Sequence, residues 1–291
     1  MTSRILSIRS PRGRLLTVEF LESCPSTGAY LEEIAKHEGQ DGYVVVSDGV
    51  TAATPLLPPP KEGESTLHIS ILLRPSLPPA RCTLLPSLAA LSVARTVAQH
   101  STCEPRIRWV SDVYSGSHKL SEVVLRSALH PSGAGFLYII VNITLRITGD
   151  FAGTLPDIVR SVFSAQRTTL AERIANTMIR EFFTLYEELT PDGAPAFLEE
   201  YRPLSLLIGR RVQIIRGGRR RGGVAVAVDD AGQLVVALRR GDILHLHSAA
   251  ELYDKKKLRL AARWKRWVEL EKQRQESRAK KNAPPEGGDG A

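Results

Sequence analysis

The residues most able to do chemistry stand in one stretch, Ile107-Arg108-Trp109-Val110-Ser111-Asp112-Val113-Tyr114, followed by His118-Lys119-Leu120. Taken singly, Asp112 reads as a turn aspartate and Lys119 as a strand-edge lysine; their joint spacing makes the stretch informative. Other constellations carry less. His245 and His247 are two apart on a predicted strand and point to one face, as a metal pair would, but no Asp, Glu or Cys at ligand spacing accompanies them, so a solvated strand face is the reading. Arg216-Gly217-Gly218-Arg219-Arg220-Arg221-Gly222-Gly223 has the composition to touch phosphate, yet it lies between two predicted strands, where a hairpin turn is expected. Ser70 and Ser121 have no His and Asp that sequence can pair with them, which gives a hydrolase triad no support.

The elements that must position these residues alternate between strand and helix. Arg14 to Leu21 reads as a strand, and Ser26-Thr27 stand as N-caps before the helical spacing of Ala29 to Ala35. Tyr43 to Val46 and Thr66 to Leu73 follow as strands, separated by a stretch with four prolines and no periodicity. Leu85 to His100 is an Ala/Leu-rich helix; Arg106 to Val110, Lys119 to Arg126 and Phe136 to Arg146 are strands; Thr168 to Leu189 and Ala194 to Tyr201 are helical. After Pro203 the pattern changes to short strands with Gly-Gly and Asp-Asp-Ala-Gly turns, which sets a domain boundary near residue 203. The expected organisation is residues 1–203, then 204–252, then a charged terminal segment 253–291.

Bulk properties narrow the class. A chain of 291 residues with 43% hydrophobic and 24% charged residues suits a soluble globular protein, and no apolar run approaches the ~20 residues that span a bilayer. Arginines interrupt the first twenty residues where a secretory signal would be apolar, so the cytosol is the expected compartment. Cys24, Cys82 and Cys103 are odd in number and widely spaced, the pattern of half-buried thiols rather than of zinc or a redox pair. The net charge of +8 is concentrated at one end: Leu252 to Ala291 holds twelve Lys and Arg against six Asp and Glu, leaving about +2 for the rest. Leu258, Leu260, Trp264, Trp267, Val268 and Leu270 form an apolar stripe there. Such a helix is free to dock on its own body, lie on an anionic membrane surface or bind RNA, and docking of its first two turns with a free charged end is the expectation.

The stretch around Trp109 resembles the biotin–protein ligases. Their pattern there is K-W-P-N-D-[VL] and, seven residues on, K-L-x-G-[IV]-L; Trp109, Asp112, Lys119 and Leu120 stand at the matching places. Ser26-Thr27 stands where the family has S-T-N, Thr66 to Leu73 where it has N-L-x-x-S, and Asn142 where it has G-x-G-x-N, so the resemblance covers roughly residues 14 to 252. It implies an α/β (α+β) fold with a mixed sheet and helices of the biotin/lipoate ligase type, followed by a small C-terminal β-barrel and then the basic terminal helix. It also implies a reaction: biotin and ATP give biotinyl-adenylate, and a lysine on the biotin carrier domain of a carboxylase takes the acyl group. Charge developing at the α-phosphate needs cations and N–H donors. The resemblance therefore assigns catalysis to Lys119 and Asp112, with Asp112 holding Mg2+ through hard carboxylate oxygen. Ser26, Thr27, Arg108, Trp109 and Asn142 are the implied substrate- and nucleotide-binding residues. The short segment before Arg14 leaves no room for a helix-turn-helix, so no DNA-binding domain is expected, while a homodimer stays open.

Departures from the pattern matter equally. The family's G-R-G-R loop falls on Ala53-Thr54-Pro55-Leu56, followed by more proline, which cannot donate N–H groups to phosphates. Gly28 replaces the asparagine of S-T-N, Val110-Ser111 the P-N pair, Glu122 the glycine after the lysine, and Tyr138 and Ile140 the G-x-G glycines. Each change narrows or strips a ligand pocket, and Glu122 adds negative charge beside the expected phosphates. Adenylation is expected to be weak or lost, and a pseudo-ligase that binds a carrier or another partner is the alternative.

Overall fold

The computed structural model describes residues 3–37, 39–51, 57, 64–101, 104–133, 135–148, 167–239 and 241–253. The chain divides into two compact units, residues 1–53 with 59–253, and residues 54–58 with 254–291. The second unit lies almost wholly outside the described residues. So do the loop Ala53-Thr54-Pro55-Leu56, Cys103 and the terminal helix expected beyond Tyr253.

The first unit is α+β, built on an eight-stranded mixed sheet. Its strands are β1 (Ser3–Arg9), β2 (Leu15–Leu21), β3 (Tyr43–Ser47), β4 (Glu64–Leu73), β5 (Pro105–Arg108), β6 (Asp112–Ser115), β7 (His118–Leu129) and β8 (Phe136–Thr148), in the order β1-β2-β3-β4-β8-β7-β6-β5. Only β2 and β3 run parallel, and helix α1 (Thr27–His37) is the crossover that parallel pairing requires. The short α2 (Pro79–Cys82) leads into α3 (Leu85–His100); α4 (Arg167–Glu188) and α5 (Phe197–Tyr201) follow β8.

Period-two alternation sorts each strand between two cores. Leu67, Ile69, Ile71 and Leu73 of β4 face one side with Val141, Ile143 and Leu145 of β8, under α3 and α4. Helix α3 is buried almost all round, which its Leu/Ala sequence permits, and proline in its first turn removes only an N–H that would have no helical partner. Leu72 and Ile140 face the other side, where Leu31 and Ala35 of α1 cover them.

After α5 the chain forms β9 (Arg211–Arg216), β10 (Arg219–Val228), β11 (Leu234–Leu238) and β12 (Ile243–Leu246), a four-stranded antiparallel sheet ordered β12-β11-β10-β9. Gly217 and Gly218 turn β9 into β10 with φ of 57° and 72°, the left-handed pair that a two-residue hairpin needs. Where a small barrel is expected, the described residues show an open sheet: β9 and β12 are not paired, and β9 meets the segment after β12 through a single bridge, Ile214 with Leu252, and the Tyr253 amide's hydrogen bond to the Gln213 carbonyl at 2.8 Å. Val212, Ile214, Ala225, Leu234 and Val236 instead join the core of the large sheet. Cys24 and Cys82 are free and buried. No helix among the described residues is long and apolar enough to cross a membrane.

Candidate active site

Ser26, Thr27, Asn142, Arg108, Asp112 and Lys119 gather on the α1 side of the large sheet, in two groups. The first forms where α1 begins. Ser26 accepts a hydrogen bond from the Ala29 amide at 3.3 Å, capping the helix, and the next residue, Thr27, turns inward. The Ser70 hydroxyl bonds Thr27 Oγ1 at 2.8 Å and donates to Asn142 Oδ1 at 2.9 Å. Ser70 and Asn142 are direct cross-strand partners on β4 and β8, so the pleat aims both at the same face. The Asn142 amide donates to the Val124 carbonyl at 3.1 Å, fixing its orientation. A Cβ added at Gly28 would lie 2.1 Å from Asn142 Oδ1. Gly28 thus lets α1 start directly against Asn142, and a side chain there would displace the asparagine. The S-T, N-L-x-x-S and G-x-G-x-N segments, far apart in sequence, meet here.

One step along the same strands lies a second polar row. His68 of β4 pairs with Thr144 of β8, and Thr144 with Glu122 of β7. His68 is buried, its Nδ1 3.3 Å from Thr144 Oγ1 and its Nε2 3.1 Å from Thr66 Oγ1; burial pushes its pKa down to about 4 and keeps the ring neutral. Sequence reasoning missed His68 and Thr144. Their signal was the same period of two, counted back from Ser70 and forward from Asn142.

The second group is ionic. A register shift between β6 and β7 pairs Val113 with Ser121 but Tyr114 with Lys119, so β7 carries one extra residue there. This bulge breaks the alternation and brings Lys119 and Glu122, three apart, to one place. The Lys119 ammonium lies 2.9 Å from Asp112 Oδ1 and 3.8 Å from Glu122 Oε2, with Asp112 and Glu122 only 6% and 4% exposed. Arg108 is the cross-strand neighbour of Asp112. A lysine expected to meet phosphate is thus held by two buried carboxylates. As donors, Asp112 and Glu122 offer the hard oxygens that Mg2+ takes, but an ion at Asp112 Oδ1 would have to displace the ammonium.

Trp109 stands apart from both groups. It is 2% exposed, and its indole N–H donates to the Gly232 carbonyl at 2.8 Å, in the turn between β10 and β11. Tyr201 of α5 donates to the Val110 carbonyl at 2.7 Å, so the neighbouring backbone is also held by packing. Tyr138 and Ile140 are buried with Leu31 and Ala35 beneath α1, filling space that glycine would leave open. His245, read as solvated, bonds Asp229 Oδ2 at 2.7 Å, while the other oxygen of Asp229 accepts from the amides of Ala231 and Gln233. That aspartate organises a turn, and no group of three His, Cys, Asp or Glu among the described residues is arranged to hold a metal.

No family model and no curated protein matches the sequence. Solved structures do. The biotin protein ligase of Aquifex aeolicus in complex with biotin and ATP aligns at 18% identity and a TM-score of 0.57, covering 81% of this chain and 97% of that one. A point mutant of the same ligase in complex with biotin gives 18% identity, a TM-score of 0.60 and coverage of 81% and 97%. A biotin protein ligase-like protein of unknown function from a Silicibacter species gives 14%, 0.59, and 86% and 100%. At these identities the likeness is one of fold, and the chain has the fold of the biotin protein ligases.

Proposed function

We propose that the chain is a biotin protein ligase relative with a weakened first half-reaction. The reaction is ATP-dependent adenylation of biotin, or of a related small carboxylic acid, and transfer to a lysine of a carboxylase's biotin carrier domain. Residues 1–203 would carry the site, with 204–252 as the appendage. In this reading Lys119 offsets phosphate charge, and Asp112, with Glu122 beside it, would hold Mg2+, which supplies further positive charge at the phosphates. Ser26, Thr27, Arg108, Trp109 and Asn142 would bind acid or nucleotide. The observation that carries the weakened part is the Lys119 ammonium lying against two buried carboxylates. A polyphosphate brought there meets like charge, and the lysine must break one ion pair to form another. Glu122 also favours a second reading, a pseudo-ligase that keeps the fold to bind a carrier.

Isothermal titration with biotin, with and without ATP, together with biotin-dependent pyrophosphate exchange, tests both readings. Binding should fall far short of nanomolar, about −12 kcal/mol. Lys119→Ala should remove any exchange, and Glu122→Gly should raise it by freeing the ammonium. Nanomolar binding by the unaltered protein would end the weakened-ligase reading, and an unchanged exchange rate in Lys119→Ala would show that the site is wrongly placed. No exchange in any variant, with carrier binding intact, selects the pseudo-ligase.

A further inference from the structure

The arginine-rich hairpin of the small sheet has no part in the chemistry above. Residues 204–253 hold eight arginines and no lysine against four acidic residues, a net of +4, whereas residues 1–203 hold nineteen basic and twenty-one acidic residues, a net of −2. The near-neutral body is therefore polarised. Arg211, Arg216, Arg219, Arg220 and Arg221 are exposed on β9 and β10, around the Gly217-Gly218 turn. No carboxylate among the described residues pairs with Arg219, Arg220 or Arg221; Arg216 has one distant partner, Glu251 at 3.9 Å.

We propose that this hairpin binds the phosphate backbone of a single-stranded nucleic acid. Four features favour that occupant over a flat acidic protein surface. Successive strand residues point to opposite faces, so Arg219 and Arg221 project to one side and Arg220 to the other, a charge distribution that suits a flexible polyanion wrapping the tip. Arg220 is already stacked on Tyr253, 3.9 Å from the ring centroid, which leaves the edge of its guanidinium free to fork two phosphate oxygens. Gly222 has open space where a Cβ would be, and a groove of about 430 Å³ lined by Arg221, Gly222, Leu238, Arg239 and one carboxylate, Asp242, adjoins it. Exposed Val224 and Val226 on the same strand offer apolar contact to bases. The terminal segment adds to the positive charge, since residues 254–291 carry twelve basic against six acidic residues.

The test uses the full chain and a fluorescein-labelled, mixed-sequence RNA of about 20 nucleotides, with anisotropy followed from low to physiological salt. Substituting Arg219, Arg220 and Arg221 together by Gln should weaken binding at least tenfold. It should also make the slope of log K against log salt shallower by about two, from three lost contacts on a single strand. The same three changed to Lys should keep the slope, which guards against a folding defect. Changing Lys255, Lys256 and Lys257 to Gln should have the smaller effect. The proposal is overturned if the RNA does not bind at low salt, or if the Gln variant binds as the unaltered protein does. It is equally overturned if the terminal lysines account for the loss, or if a polyglutamate probe binds through the hairpin while RNA does not.

Discussion

On the side of the large sheet that carries α3 and α4, the inward positions of β4 and β8 are Leu67, Ile69, Ile71, Val141, Ile143 and Leu145, all buried and all apolar. On the opposite side the same two strands are apolar beneath α1, at Leu72, Tyr138 and Ile140, and then present Ser70, Asn142, His68 and Thr144. One strand therefore serves two purposes, with its odd positions holding the fold and its even positions holding a polar surface. The apolar side is non-directional and tolerates imprecise geometry, whereas the polar side depends on each hydrogen bond being made. Several departures from the ligase pattern fall on the polar side: Gly28, Glu122, Tyr138 and Ile140 belong to the α1 face or its edge, whereas Val110 packs against the apolar core.

The division can be broken most strongly on its apolar side. Phe182 of α4 is fully buried and meets the Phe183 ring edge-on at 5.4 Å between centroids. Phe182→Ala should cost ~3–5 kcal/mol in a denaturant titration followed by circular dichroism, from lost burial plus a cavity that the neighbours fill incompletely. A cost below ~1 kcal/mol would mean that α4 does not seal this core.

The polar side should reveal itself through pH. His68 titrates near 6.5 in the unfolded chain and at about 4 when folded, because burial disfavours the imidazolium. Its contribution is thus complete above pH 6.5 and is lost as the pH falls from there to 4, where the gap of about 2.5 units corresponds to ~3 kcal/mol. His68→Gln should remove that acid limb, so the stability difference between variant and parent should shift in the variant's favour by that amount between pH 7 and pH 4. A difference that stays flat with pH would place His68 in contact with solvent.

Much of this was legible in the sequence, for definite reasons. Helix α3 and strand β4 were read almost to the residue, because Leu85 to His100 and Thr66 to Leu73 have strong period and composition. Strand β1 was missed: it is an edge strand with every residue at least partly exposed, so its alternation is faint. Strand β6 was missed because four residues carry no period. The pairing of Asp112 with Lys119 could be suspected from spacing, but the second carboxylate at Lys119 could not. It depends on a one-residue bulge, and nothing in Leu120-Ser121 announces a shift of register. Asp229 beside His245 was hidden for a similar reason, since sixteen residues and a hairpin separate them.

The smallest expected effect concerns Trp109, where the apolar side of the large sheet meets the small one. Its indole N–H, 2.8 Å from the Gly232 carbonyl, ties β5's end to the turn between β10 and β11, and its ring is buried between the two sheets. Trp109→Phe keeps most of the apolar area but deletes the donor and leaves that carbonyl without its bond, a loss of ~1 kcal/mol with a small further contribution from the narrower ring. Because both sheets share one core, unfolding should remain a single transition with an unchanged denaturant slope. The same variant also decides what Trp109 is for. A tryptophan that only joins the sheets should leave ligand affinity as it is in the unaltered protein, within the error of titration. If biotin or ATP binding instead falls tenfold or more while stability drops by only ~1 kcal/mol, the indole reaches the ligand when the site is occupied.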